Sequence, residues 1–217
     1  RLSDLSTVQA GTTVVVWTTG MSELPPDHLS IKVPVLPTSR VSEKLVAIIP
    51  AAGLSRRMGQ PKLLLTLGDR PVIARVIETL KAAGLSRIAV TVRPDDRQMI
   101  DVVTAAGGLV VLPDPPPSDM RQSVESGLKM LLDDASTGLP WQGWMLIPAD
   151  HPTLNTGSVE AIIAAWSSDP DRIAIPVHQG RRGHPTILPR HLAHHVFSLP
   201  VHTGINQLVR AHQQQVL

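Results

Sequence analysis

The residues best suited to chemistry fall in two short segments. The first is Pro50-Ala51-Ala52-Gly53-Leu54-Ser55-Arg56-Arg57-Met58-Gly59-Gln60-Pro61-Lys62 and the second Ile147-Pro148-Ala149-Asp150-His151-Pro152. In the first, small residues let backbone N–H groups come close to an anion, and Gly53 and Gly59 relieve the geometry such a turn needs. Arg57 and Lys62 add fixed positive charge within the same loop, which suits a polyphosphate. The segment fits neither G-x-x-x-x-G-K-[ST] nor G-x-G-x-x-G, so the P-loop and dinucleotide fingerprints both fail. In the second, Asp150 is a lone carboxylate. It reads either as the cap of a following helix or as a ligand for Mg²⁺, which uses only one or two protein carboxylates and completes its shell with phosphate and water. His151 suits Mg²⁺ poorly, since that ion prefers oxygen, and is read as a supporting or surface residue.

Two further stretches carry polar groups in useful places. Asp119-Met120-Arg121-Gln122-Ser123-Val124-Glu125-Ser126-Gly127-Leu128 follows a proline-rich break and opens a helix. The free N–H groups of that first turn suit an anion or a base carbonyl. The same residues also read as ordinary capping by Asp119 or Ser118, with Arg121 exposed. Gln179-Gly180-Arg181-Arg182-Gly183-His184-Pro185 is a glycine-punctuated basic turn, and loop arginines are commonly just solvated. Among the remaining histidines, His191 and His195 have i, i+4 spacing, but no H-E-x-x-H acid accompanies them, so no zinc site is expected.

Elements that could hold these segments alternate along the chain. Leu45-Val46-Ala47-Ile48-Ile49 is a continuous apolar run, as expected for a strand buried on both faces. Val72, Ile73, Val76, Ile77 and Leu80 follow at helical spacing, with Pro71 suited to the first turn and Gly84 to the stop. Arg87 to Val92 predicts a second strand, Asp95 to Ala106 a second helix, and Leu109 to Leu112 a third strand ended by Pro113-Asp114-Pro115-Pro116-Pro117. Val124, Leu128, Leu131 and Leu132 share a helix face, Trp144 to Ile147 reads as a fourth strand, and Val159, Ile162, Ile163 and Trp166 as the next helix. Ile173 to Ile175 predicts a further strand. Strands separated by helices imply right-handed crossovers and an α/β fold of three layers, a mostly parallel sheet with helices on both faces. Ligands in such sheets bind beyond the carboxyl ends of the strands, which directs attention to the loops after Ile49, Leu112 and Ile147.

Composition narrows the class. The 217 residues are 42% hydrophobic and 18% charged, which excludes wholesale disorder. Twenty Lys and Arg against 18 Asp and Glu give a net charge of +2, no basis for nonspecific nucleic-acid binding. Without cysteine there is no disulfide framework, thiolate metal site or cysteine nucleophile. No apolar stretch approaches the ~20 residues that span a bilayer, so neither membrane nor nucleic acid is an expected partner and a cytoplasmic location is. Aromatic residues make up 2%, so the core must rest on Leu, Ile, Val and Ala. Residues 1–42 differ from the rest: Thr12 to Trp17 could form a short strand, among scattered prolines and Ser/Thr. They read as an appendage, a linker or the tail of a preceding domain. The start at Arg1 suggests a fragment.

Here a resemblance becomes specific. The first segment resembles the A-A-G-x-S-x-R-M-G-x-x-K signature of MobA/MocA-like NTP transferases, the nucleotidyltransferases related to the molybdenum cofactor cytidylyltransferases. It implies a Rossmann-like, or GT-A-like, nucleotidyltransferase domain over 43–217. It implies phosphate-binding roles for Gly53, Ser55, Arg57 and Lys62, and base or ribose contact for Ala51 and Ala52. Guanylyltransferase relatives carry A-G-G where this chain has Ala51-Ala52-Gly53, which favours CTP over GTP; Pro50 departs from the usual leucine of the cytidylyltransferases. Pro148-Ala149-Asp150-His151-Pro152 is similar to the family's P-A-D-x-P metal motif and makes Asp150 the Mg²⁺ ligand. Ser123-Val124-Glu125-Ser126-Gly127-Leu128 resembles its S-V-x-x-G-L element, in which the Ser helps hold the nucleotide. Gly180 to Pro185 resembles its G-x-x-G-H-P element, which places Arg181, Arg182 and His184 on the acceptor side. The implied reaction moves CMP from CTP to the terminal phosphate of molybdopterin, a phosphorylated pterin, with Arg57, Lys62 and Asp150 as the catalytic groups. A molybdoenzyme or its maturation chaperone is the implied protein partner. The rivals are a guanylyltransferase of the same cofactor, a sugar-1-phosphate nucleotidyltransferase, the isoprenoid cytidylyltransferase and a noncatalytic nucleotide-binding module. The family's usual D-I-D-T-P-x-D segment does not follow before Leu217, so the domain is expected to be truncated at its C-terminal end or to lack that second contact.

Overall fold

The computed structural model describes residues 43–53, 61–133, 141–200 and 203–217. The suggested strand in Thr12 to Trp17, the whole of 1–42, and Ser55 and Arg57 of the first loop lie outside them. Nine strands are present among the described residues: β1 (Leu45–Pro50), β2 (Thr66–Leu67), β3 (Arg70–Pro71), β4 (Arg87–Thr91), β5 (Leu109–Val111), β6 (Gly143–Leu146), β7 (Val177–His178), β8 (Arg181–Arg182) and β9 (Thr186–Pro189). Five of them form the central sheet in the order β5-β4-β1-β6-β9, and β2-β3 and β7-β8 are separate hairpins. Strand β1 runs parallel to β4 and β6, and β4 parallel to β5, whereas β9 runs antiparallel to β6.

Alternation along each strand divides the core into two layers. Leu45, Ala47 and Ile49 of β1, Ile88 and Val90 of β4 and Met145 of β6 face one side. There they meet α1 (Val72–Ala82), α2 (Arg97–Ala106) and α4 (Thr156–Ser167) through Ile77, Val103 and Trp166, among others. Val46, Ile48, Ala89, Trp144 and Leu146 face the other side, against α3 (Met120–Asp133) and the short α5 (Ala193–Phe197) and α6 (Ile205–Ala211). Strand β1 needs an unbroken apolar run because both of its faces are covered. Glycine marks the tightest approaches. A Cβ on Gly143 would collide with the Trp166 ring, and one on Gly127 would lie 3.1 Å from Ile48 Cγ2, so α4 and α3 seat directly on the sheet.

Local chemistry sets the helix ends. The Asp96 carboxylate accepts from the Met99 N–H at 3.1 Å and caps α2, which starts at Arg97, two residues later than the expected Asp95. Gly107, at φ 82°, ends it in the left-handed region. Asn155 caps α4 through the Ser158 N–H at 2.8 Å.

Two expectations are corrected. Ile173 to Ile175 is buried but forms no strand: Ile173 makes a single bridge to Val216 and Ala174 a single bridge to Ile187. Pro176, without an N–H, cannot extend that ladder. Conversely β9, unforeseen in the sequence, is a full sheet strand. Its flanking Pro185 and the terminal Pro189 disguise it, yet both are compatible with a strand at the sheet edge.

The path of the chain fixes where a ligand can bind. From β1 it steps outward to β4 and β5, then crosses back to β6 on the opposite side of β1. The connections leaving β1 and β6 therefore diverge, and the crevice between them at their carboxyl ends is the switch point of the sheet.

Candidate functional site at the switch point

Lys62 and Asp150, 88 residues apart, meet in that crevice, with Lys62 Nζ 2.7 Å from Asp150 Oδ2. Lys62 opens a short 3-10 turn after the loop from β1, and Asp150 follows β6. Both side chains stay open to solvent, at 40% and 50% exposure. Such an exposed pair contributes only about 0–1 kcal/mol, so phosphate and a cation can displace it without difficulty. The hydrogen bond from Lys62 holds the Asp150 carboxyl below its ordinary range, against the opposing effect of burial.

A chain of buried hydrogen bonds braces the β1 side of the crevice. Ala51 and Ala52 are buried, and the Ala51 N–H donates to the Thr91 carbonyl at 2.9 Å. Thr91, the last residue of β4, is fully buried and donates its hydroxyl to the Ser123 carbonyl at 2.7 Å. Ser123 in turn donates its own hydroxyl to the Asp119 carbonyl at 3.1 Å. The start of the loop after β1, the end of β4 and the first turn of α3 thus form one unit. Gly53 is exposed beyond it, with nothing within 4 Å of where a Cβ would stand.

The α3 segment shows the capping geometry. Asp119 Oδ1 accepts from the Gln122 N–H at 2.8 Å, and Gln122 Oε1 accepts from the Ser118 N–H at 2.8 Å. Arg121 departs from the exposed position that the capping alternative gives it. Its side chain is 11% exposed, pairs with Glu125 at 3.0 Å and donates to the Leu199 carbonyl at 3.0 Å. It ties α3 to the segment after α5. Burial raises the Glu125 pKa, and the Arg121 charge opposes that rise.

On the far side of Asp150, strand β9 brings in Gly183, His184 and Pro185. Leu146 pairs with Thr186, so they lie beside the loop that leaves β6. The His184 ring meets His151 edge to face, with centroids 5.9 Å apart and planes at 80°. Burial lowers the His184 pKa, as does the neighbouring His151, while the Leu146 carbonyl and Asp150 act in the opposite direction. Arg181 and Arg182 form the exposed strand β8, reached through a turn in which Gln179 and Gly180 have φ 49° and 73°. Two left-handed residues in succession suit a tight two-residue hairpin, which carries both guanidiniums outward.

The donor set can be tested against a cation. Among the described residues, no three His, Asp or Glu side chains converge to enclose a metal. A single half-exposed carboxylate beside a lysine does not suit a closed all-protein site. It does suit Mg²⁺ or Mn²⁺, whose remaining ligands come from a nucleotide's phosphates and water.

A family model described as the MobA-like NTP transferase domain matches residues 47–216. The chain belongs to that family. The MobA-like match runs from within β1 through Asp150 to beyond β9. The chain is 29% identical over 143 residues to a 2-C-methyl-D-erythritol 4-phosphate cytidylyltransferase of Shewanella loihica, covering 60% of this chain and 52% of that protein. It is 44% identical over 70 residues to a molybdenum cofactor guanylyltransferase of Rhizobium meliloti, covering 31% and 28%. The chain thus spans between a quarter and about half the length of the curated relatives it matches. Two solved structures share its fold. One is a homologue of the Mycobacterium tuberculosis protein Rv0371c from Mycobacterium sp. strain JC1, with TM-score 0.65, 24% identity and coverage of 80% and 83%. The other is Rv0371c itself in complex with manganese, with TM-score 0.60, 20% identity and coverage of 79% and 85%. Among the described residues of this MobA-like chain, no helix is long and apolar enough to cross a membrane.

Proposed function

We propose that residues 43–217 form a Mg²⁺-dependent nucleotidyltransferase domain that moves CMP from CTP to the terminal phosphate of molybdopterin, in the cytoplasm. The observation that supports this reading is the Lys62–Asp150 contact at the switch point of a MobA-like domain. An oxygen of the acceptor phosphate attacks the α-phosphorus, the bond to the β-phosphate breaks, and pyrophosphate leaves. No protein nucleophile is required, because the acceptor is already anionic near neutral pH. Lys62 releases Asp150 and pairs with the triphosphate, and Arg57 of the same loop adds a second positive charge. Ala51, Ala52, Gly53 and Ser55 approach the nucleotide, with Ser123 beneath them in the brace. Asp150 would hold Mg²⁺, which supplies neutralisation of the charge that grows on the phosphates when bound. Arg181 and Arg182 meet the acceptor phosphate. Catalysis is then positioning and charge stabilisation.

Ala52 in place of glycine supports CTP. The 44% match to a guanylyltransferase favours GTP as a second reading. Pyrophosphate release with Mg²⁺ tests both: CTP, GTP, ATP and UTP are each offered with molybdopterin, with 2-C-methyl-D-erythritol 4-phosphate, with a sugar 1-phosphate and with no acceptor. Release dependent on CTP and molybdopterin is expected. Preference for GTP overturns the argument from Ala52, and preference for another acceptor overturns the pterin assignment. Nucleotide binding without turnover on any acceptor points to a noncatalytic module.

A further inference from the structure

His184 stands on the acceptor side in sequence, yet its surroundings turn it towards the loop that carries Asp150. Its Nδ1 is buried with no hydrogen-bond partner among the described residues. The ring is held by the β6–β9 register on one side and by an edge-to-face contact with His151 on the other. His151 is the residue next to Asp150, and Pro148 and Pro152 confine the same loop. Arg181 and Arg182, by contrast, are exposed on the hairpin and free to meet an anion.

The geometry points to His184 as a positioning residue whose ring, packed edge to face on His151, fixes the loop that presents the Asp150 carboxylate to a metal–triphosphate. This inference rests on the nucleotidyl-transfer reading and deepens it. Groups that orient a metal ligand without touching the metal characteristically change metal affinity by about 10–100-fold when removed. An acceptor contact would instead change acceptor affinity. The two roles therefore separate by measurement.

The test follows Mn²⁺ bound to the protein by electron paramagnetic resonance, with CTP present and again with GTP, for the wild type, His184→Ala, His151→Ala, the double variant and His184→Phe. His184→Ala and His151→Ala are each expected to weaken nucleotide-dependent Mn²⁺ binding by roughly 10-fold. The double variant should lose no more than the worse single, because the two rings act as one contact. His184→Phe keeps an aromatic ring against His151 and should recover most of the binding. In the transfer assay, the Mg²⁺ concentration for half-maximal rate should rise in the alanine variants while the acceptor KM stays within about 2-fold of wild type. If His184→Ala does not fold, His151→Ala and His184→Phe carry the comparison. Unchanged Mn²⁺ binding with a raised acceptor KM overturns the inference and returns His184 to the acceptor. Wild-type protein that binds no Mn²⁺ with either nucleotide overturns the nucleotidyl-transfer reading itself. Wild-type binding that neither alanine variant alters overturns only the inference.

Discussion

On the β1–β4 side of the crevice the loops are tied together by backbone. The Ala51 N–H, the Thr91 carbonyl and hydroxyl and the Ser123 carbonyl form one buried chain of hydrogen bonds. On the β6–β9 side the loops are held by ring packing and a short hairpin. His184 leans on His151, and Arg181 and Arg182 stand in solvent. The first construction is rigid and small-residued, suited to a triphosphate and base that must be placed to fractions of an ångström. The second offers side chains on an exposed edge, where changes of length and charge leave the sheet untouched. Lys62 and Asp150 sit at the seam, one from each side. Under the proposed function, the contrast assigns the donor nucleotide to the frame of the fold and the acceptor to residues added to its edge.

The largest effect is expected at the seam. Asp150→Ala should lower kcat/KM in pyrophosphate release by about 10³-fold, in the range for loss of a charge-stabilising group in phosphoryl chemistry. Its melting temperature should stay near wild type, because the side chain is half exposed and its ion pair contributes little. A variant that unfolds would instead make Asp150 a structural residue.

Next comes the rigid side. Thr91→Val removes the hydroxyl that donates to the Ser123 carbonyl. It should destabilise the protein by about 0.5–1.5 kcal/mol in urea titration and raise the nucleotide KM more than the acceptor KM. Equal stability would mean that the brace does not hold the donor side. On the edge, Arg181→Ala with Arg182→Ala should raise the acceptor KM by roughly 10-fold through loss of charge-assisted contacts, with nucleotide binding and unfolding unchanged. An effect on the nucleotide KM instead would dissolve the division between the two sides.

The smallest effect is one of pH. Burial lowers the pKa of His184 from its ordinary 6.5, so at mildly acid pH the unfolded chain binds more protons than the folded one. The linked stability is present above that ordinary value and is lost as pH falls through the lowered one. Thermal unfolding between pH 7.5 and 5.5 should show this decline, flattened in His184→Phe. Asp150, whose pKa is also lowered from 3.8, is ionised in both states across that window and contributes nothing to the slope.

Much of this arrangement was legible in the residues. Leu45 to Ile49, Arg87 to Val92 and Trp144 to Ile147 announced themselves as strands because a sheet covered on both faces needs unbroken apolar runs. The two segments after β1 and β6 were legible as partners because small residues, fixed charge and a lone acid followed strands of one parallel sheet. Thr91 was not legible. A threonine in a β-rich run is unremarkable, and its bond to Ser123 depends on how closely α3 approaches, which Gly127 permits against Ile48. Strand β9 was hidden by its prolines, and its absence from the sequence reading also hid the nearness of His184 to His151. The capping alternative left Arg121 in solvent, because its partners Glu125 and Leu199 meet it only once α3 packs beside the C-terminal helices.

The central claim is that Lys62 and Asp150 act as one unit on a metal–nucleotide. Its most direct test is a double-mutant cycle of Lys62→Ala and Asp150→Ala, read as acceptor-dependent pyrophosphate release with Mg²⁺. If the pair works as a unit, each single variant loses about 10²–10³-fold and the double variant loses little more than the worse single. Asp150→Ala turning over at the wild-type rate, or losses that simply multiply, would contradict it.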